Sequence, residues 1–211
     1  MVSAVDDGVG QLREKLKTLG LEKDTLIFFF SDNGGPINAN ASVNFPLRGQ
    51  RSDLWEGGTR VPYVVSWLGT LPSSRRYTKA VSTMDILPTM LAAVGMDTDE
   101  MSSHEGVNLR PFLTGKMTAA PHDRLYWRHI NGSWAIREGR WKLVRDPKKQ
   151  RYLYDIEADI SETKDVSAAH PDIVSRLAKA WNDWNASNAE YLPWQQQKSS
   201  AQSQSVAADD D

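Results

Sequence analysis

Cysteine is absent from the 211 residues. That excludes a disulfide framework, a thiolate nucleophile and any Cys-ligated zinc or iron–sulfur centre. Histidine is scarce, with four residues (His104, His122, His129 and His170), and none is spaced as a paired metal motif. There is no charge excess either: 25 basic against 27 acidic side chains leave a net charge of -2. Without a global basic field, nucleic acid is not an expected partner. No apolar run reaches the roughly 18–20 residues that cross a bilayer, so no transmembrane segment is expected. Met1 runs at once into Asp6 and Asp7 with no basic or apolar leader, which predicts no signal peptide. What remains is an ordinary apolar content of 40 %, enough at this length to bury a core without staples.

The pattern along the chain predicts an α/β fold. Val2, Val5, Val9, Leu12, Leu16 and Leu19 recur at spacings of three and four, an amphipathic helix that Gly20 stops. The unbroken apolar run from Leu26 to Phe30 reads as a strand buried on both faces, as in parallel sheets covered by helices. Val61 to Trp67 reads as a second buried strand, and the long connection between them as functional or disordered. Ser82 to Val94 reads as a helix, and Leu109 to Leu113 as a short helical turn. Beyond about residue 118 the texture changes to four short strands separated by Asn131-Gly132, Glu138-Gly139 and Asp146-Pro147, a small antiparallel sheet. Pro171 to Trp184 follows as a helix with Ile173, Leu177, Ala180, Trp181 and Trp184 on one face. Three regions result: 1–118, 119–190 and a polar tail, 191–211, that has nothing to bury and is expected to be disordered.

Two places could carry chemistry. Asp32 and Asn33 end the first strand, and ligands of α/β sheets bind beyond the carboxyl ends of strands. A carboxylate beside an amide oxygen suits a hard cation such as Ca²⁺ or Mg²⁺; the same residues also make an ordinary Asx-Gly turn. Arg48-Gly49-Gln50-Arg51 and Glu56-Gly57-Gly58-Thr59-Arg60 place guanidinium forks beside flexible glycines, a set that can hold a tetrahedral oxyanion or form structural ion pairs. Asp85 sits near a helix start, where a carboxylate serves the helix. His129 is read as a strand residue, and the tryptophans as a sheet–helix core.

Taken in order, Asp6-Asp7-Gly8-Val9-Gly10, Ser31-Asp32-Asn33-Gly34-Gly35, Pro46-Leu47-Arg48-Gly49, Glu56-Gly57-Gly58-Thr59-Arg60-Val61-Pro62, Met84-Asp85-Ile86-Leu87-Pro88-Thr89, Gly106-Val107-Asn108-Leu109 and Leu153-Tyr154-Asp155 form a series. It resembles the C-terminal half of a type I, formylglycine-dependent sulfatase of the alkaline-phosphatase-like superfamily. The resemblance implies part of a sulfatase α/β sheet with flanking helices, followed by a small antiparallel sheet and helix. It also implies sulfate-ester hydrolysis in which a formylglycine hydrate attacks sulfur while a divalent cation, usually Ca²⁺, neutralises the sulfate oxygens. Matched residue by residue, Asp32 and Asn33 become metal ligands. Arg51 takes the place of a sulfate-contacting lysine, where it could bind sulfate but not donate a proton.

The family's C/S-x-P-x-R segment has no counterpart, since there is no cysteine and no Ser-x-Pro-x-Arg. Asn44-Phe45-Pro46-Leu47-Arg48 is a coincidental near match, so no catalytic nucleophile is expected in this chain. The expectation is a C-terminal sulfatase portion that binds Ca²⁺ weakly and is inactive alone. The substrate would be a sulfate ester, with sulfated glycans included, and the parent protein exported, periplasmic or lysosomal. A phosphate or phosphonate ester hydrolase of the same superfamily and a non-catalytic binding module stand as alternatives.

Overall fold

The protein is described by a computed structural model over residues 2–40, 42–96 and 105–189. His104 and the tail from 191 lie outside the described residues. The chain forms two compact units, Met1–Asn33 with Arg60–Asp123, and Gly34–Thr59 with Arg124–Asp211. Residues 34–59, read from sequence with the first region, therefore pack with the second.

In the first unit α1 (Val2–Thr18) ends at Gly20, whose φ of 69° suits a residue without Cβ. Gly20 N donates to the Lys17 carbonyl at 3.0 Å and Leu21 N to that of Leu16 at 2.9 Å, a Schellman closure. The helix forms as its periodicity predicts, but none of its residues is buried. Its apolar positions Val2, Val5 and Leu12, and Leu19 just beyond its end, are exposed. β1 (Ile27–Phe30) corrects the expectation of a strand buried on both faces in a parallel sheet. It pairs antiparallel with β2 (Tyr63–Ser66), Phe30 opposite Tyr63, and Phe29 stays 45 % exposed. An apolar aromatic run specifies a strand but neither the direction of its neighbour nor what covers it. Tyr63 holds the pair together by ring contacts to Phe28 and Phe30, centroids 6.3 and 5.7 Å apart.

Before α4 (Ile86–Ala93), a turn of 3-10 helix at Thr83–Asp85 is closed by a capping box between Ser82 and Asp85. α5 (Arg110–Leu113) buries Phe112, and Leu109 N donates to the Thr89 hydroxyl at 2.9 Å, tying the two helices.

The second unit is built on a four-stranded antiparallel meander, β3 (Arg124–Arg128), β4 (Trp134–Glu138), β5 (Trp141–Arg145) and β6 (Arg151–Asp155). α6 (Pro171–Ala186) packs on one face. Strand alternation sends Trp134, Ile136, Leu143 and Leu153 to that face, where they meet Leu177, Ala178 and Trp181 in the core. Trp134 stacks on Trp181 at 4.7 Å and Tyr126 on Trp184 at 4.8 Å, so these tryptophans are core residues as read. The connection expected to be a long loop carries two single-turn helices, α2 (Ile37–Asn40) and α3 (Glu56–Thr59). Its Trp55 meets Tyr152 and Tyr154 edge-on. No helix among the described residues is long and apolar enough to cross a membrane.

Candidate functional site

Asp32 and Asn33 form a bend one residue beyond the carboxyl end of β1, after Ser31. Asp32 is exposed and Asn33 half-buried. The bend is tied locally: Asn33 N donates to Asp32 Oδ1 at 3.0 Å, and the Ser31 hydroxyl donates to the Asn33 carbonyl at 2.9 Å. One carboxylate and one amide are oxygen donors of the kind a hard cation takes, and two are a fraction of the roughly six to eight that Ca²⁺ uses. Among the described residues no group of three or more His, Asp or Glu side chains converges for a metal.

Arg51 belongs to the second unit, exposed in a tight turn. Gln50 N donates to Asp53 Oδ2 and Asp53 N to the Gln50 carbonyl, both at 2.9 Å, so Asp53 braces the turn. The glycines around it serve close backbone approach. A Cβ on Gly34 would lie 1.7 Å from the Gly57 carbonyl oxygen, and one on Gly58 would lie 2.1 Å from that of Asp53. Gly34 N donates to the Gly58 carbonyl at 3.0 Å and Gly57 N to that of Arg48 at 2.6 Å. The two glycine pairs are thus one interlocked backbone joint.

Arg48 is structural. Its Nη1 donates to the Tyr154 hydroxyl at 3.1 Å and the Glu162 carbonyl at 3.0 Å, and its guanidinium lies 3.9 Å over the Trp55 ring. Asn44, the nucleophile position of the coincidental near match, is equally structural: its amide donates to the carbonyls of Gly35 (2.8 Å) and Gly49 (3.0 Å).

A buried ionic cluster escaped the sequence reading. Lys142, fully buried on β5, lies 2.9 Å from Glu56 Oε1 and 3.1 Å from Glu162 Oε1. Glu56 N donates to Glu162 Oε2 at 2.6 Å, and Arg137 approaches Glu56 at 3.9 Å. Burial pushes the Glu162 carboxyl up, and the Lys142 charge opposes that shift. The available signal was the strand period, which sets Lys142 on the face opposite the α6-facing Leu143.

Two further residues are settled by their contacts. Asp85, fully buried, accepts from Ser82 N at 2.8 Å, Val107 N at 2.9 Å and His122 Nε2 at 2.8 Å, the structural role read for it. His129 Nδ1 accepts from Asn131 N at 3.2 Å in the β3–β4 turn.

Comparison with known proteins gives this geometry a lineage. The Sulfatase family profile matches residues 1–96, and the profile described as N-sulphoglucosamine sulphohydrolase, C-terminal, matches residues 50–186. An uncharacterized sulfatase, YdeN, from Escherichia coli K12 is 35 % identical over 133 residues, covering 63 % of this chain and 24 % of its own length. Steryl-sulfatase from Homo sapiens is 33 % identical over 132 residues, 59 % of this chain and 23 % of its own. A crystal structure of Ps i-CgsB in complex with k-i-k-neocarrahexaose superposes with a TM-score of 0.80 at 33 % identity, over 87 % of this chain and 41 % of that one. The chain spans about a quarter of the length of these two relatives. The sulfatase α/β fold of such neighbours agrees with the mixed helices and sheets seen here. With a C-terminal sulfohydrolase profile running over more than half of its length, this chain belongs to the sulfatase family.

Proposed function

We propose that the chain acts as the C-terminal portion of a sulfuric ester hydrolase, contributing Asp32 and Asn33 to a divalent-cation site and Arg51 to the sulfate group. The observation that carries this reading is the pair of adjacent oxygen donors at the carboxyl end of β1, within the stretch that matches the Sulfatase profile. A bound Ca²⁺ would supply Lewis-acid neutralisation of the sulfate oxygens. The chain's own residues do the rest of what is assigned to it. The Asp32 carboxylate brings negative charge to the cation, the Asn33 amide adds a neutral oxygen, and the bend hydrogen bonds hold the two together. Arg51 presents forked donors to an oxyanion.

The formylglycine precursor motif is absent from these residues, so the 211-residue chain is inactive by itself. Two measurements test this. Incubation with 4-nitrophenyl sulfate should release no nitrophenol above a buffer control. Calorimetric titration with Ca²⁺ should show weak binding that Asp32→Ala abolishes; Ca²⁺ affinity unchanged by that substitution would refute the metal assignment, and turnover would refute the inactivity.

A further inference from the structure

The four strands of the second unit share one cross-strand row. Arg128 is paired with Trp134, Trp134 with Arg145, and Arg145 with Arg151. Directly paired residues point to the same face. Trp134 is in the core under α6, so three guanidiniums and one indole form a band on the α6 face. This band lines a cavity of about 590 Å³, whose wall also includes Asn182 and Asn185. Asp32, Asn33 and Arg51 do not line it.

The row is electrostatically unbalanced. Arg145 and Arg151 are directly opposed like charges, an arrangement that costs stability. Among the described residues no carboxylate forms an ion pair with either. Arg145 Nη1 donates to the Gly132 carbonyl at 2.7 Å, which fixes its guanidinium at the cavity wall while its other N–H groups keep their donor capacity. Arg151 is exposed, with its guanidinium 5.9 Å from the Trp134 ring. Arg128 is committed elsewhere: it donates to Asn185 Oδ1 and to the Ala189 carbonyl, both at 3.1 Å, and so anchors the end of α6. The row therefore presents two positioned guanidinium groups, which match tetrahedral oxyanions, beside a carboxamide that pairs with hydroxyls.

We propose that this cavity is a second anion-binding site, one that holds a sulfated saccharide unit through Arg145 and Arg151, with the Asn182 amide meeting sugar hydroxyls. The anion site stands on the arginine row alone; its occupant's being a sulfated saccharide rests on the sulfate-ester function proposed above. Such a site would hold a polyanionic glycan independently of the residues assigned to cation and ester.

The test is calorimetric titration of the whole chain with a sulfated galactan tetrasaccharide, its desulfated counterpart and inorganic sulfate. Arg145→Gln and Arg151→Gln should each weaken the sulfated sugar about tenfold or more, the range of one charge-assisted hydrogen bond. The desulfated sugar should not bind, and binding of the sulfated sugar should persist in EDTA, with any divalent cation removed, which separates this site from the metal assignment. Arg151→Gln should also melt no lower than the unsubstituted chain, because it relieves a like-charge pair. Unchanged affinity in both arginine variants, or equal affinity for the desulfated sugar, overturns the site. Affinity for inorganic sulfate with none for the sulfated tetrasaccharide overturns the saccharide assignment.

Discussion

Gly34 tolerates no side chain because the Gly57 carbonyl oxygen occupies the place of its Cβ. Gly34→Ala must therefore open the joint between the two glycine pairs, and a loss of several kcal/mol, about the upper range for single substitutions, should appear in urea unfolding. The Lys142 cluster makes a sharper distinction. Lys142→Met leaves the Glu56 and Glu162 carboxylates buried without their shared cation, and should cost about 3–5 kcal/mol. Glu162→Gln keeps one cation with one carboxylate and should cost clearly less. The pH dependence has a definite sign. Because burial raises the Glu162 carboxyl above its ordinary 4.5, its contribution to stability is full below that value and is lost as pH rises through the folded pKa. The melting temperature of Glu162→Gln relative to the unsubstituted chain should accordingly climb from pH 4.5 upward. At Tyr63, burial and then the Asp85 charge push the phenol up to about 12, and its hydroxyl is buried without a hydrogen-bond partner. Tyr63→Phe removes that unsatisfied group and should leave stability unchanged or raise it by about 1 kcal/mol.

Among the elements, α6 and the sheet carry most of the buried apolar contact. Trp181 stacks on Trp134, and its indole N–H donates to the Trp127 carbonyl at 3.1 Å, so Trp181→Ala removes packing and a hydrogen bond together. The expected cost is about 3–5 kcal/mol by denaturant titration. α1 stands at the other extreme: it has regular backbone bonds and a Schellman stop, but no buried residue. Hydrogen exchange should find the amides of β4 and β5 slowest and those of α1 fast, since protection follows burial. Equal protection of α1 and β5 would contradict this account. The strand boundaries of the meander were legible because Asn131-Gly132 and Glu138-Gly139 interrupt short alternating runs; Gly132 and Gly139 take φ values of 82° and 56° as those turns require. The partner of β1 was not legible, because a run of phenylalanines is compatible with either strand direction.

On the scale of the whole molecule, apolar side chains from Val2 and Val5 through Leu12, Leu19 and Phe29 meet solvent. Exposure of this kind favours association, so sedimentation of the 211-residue chain should depend on concentration and a hydrophobic dye should bind it. A monodisperse chain that leaves the dye dark would argue for a self-sufficient module. The order of the sequence motifs carried the family resemblance, and the lack of a nucleophile segment among these residues was legible in the same way, since both depend on residue identity and position along the chain. Helix stops, hairpin turns and the tryptophan core were equally legible, because periodicity and turn chemistry act locally. Tertiary structure alone decided that β1 is antiparallel to β2, that Gly34–Thr59 packs with the C-terminal sheet and that Arg48 serves the fold. It also joined Glu56, Lys142 and Glu162 across 106 residues of chain and aligned three arginines and Trp134 in one row across the meander. The physical reason is that burial, charge pairing and cross-strand register belong to contacts between distant segments, and local pattern specifies a face without specifying what it meets.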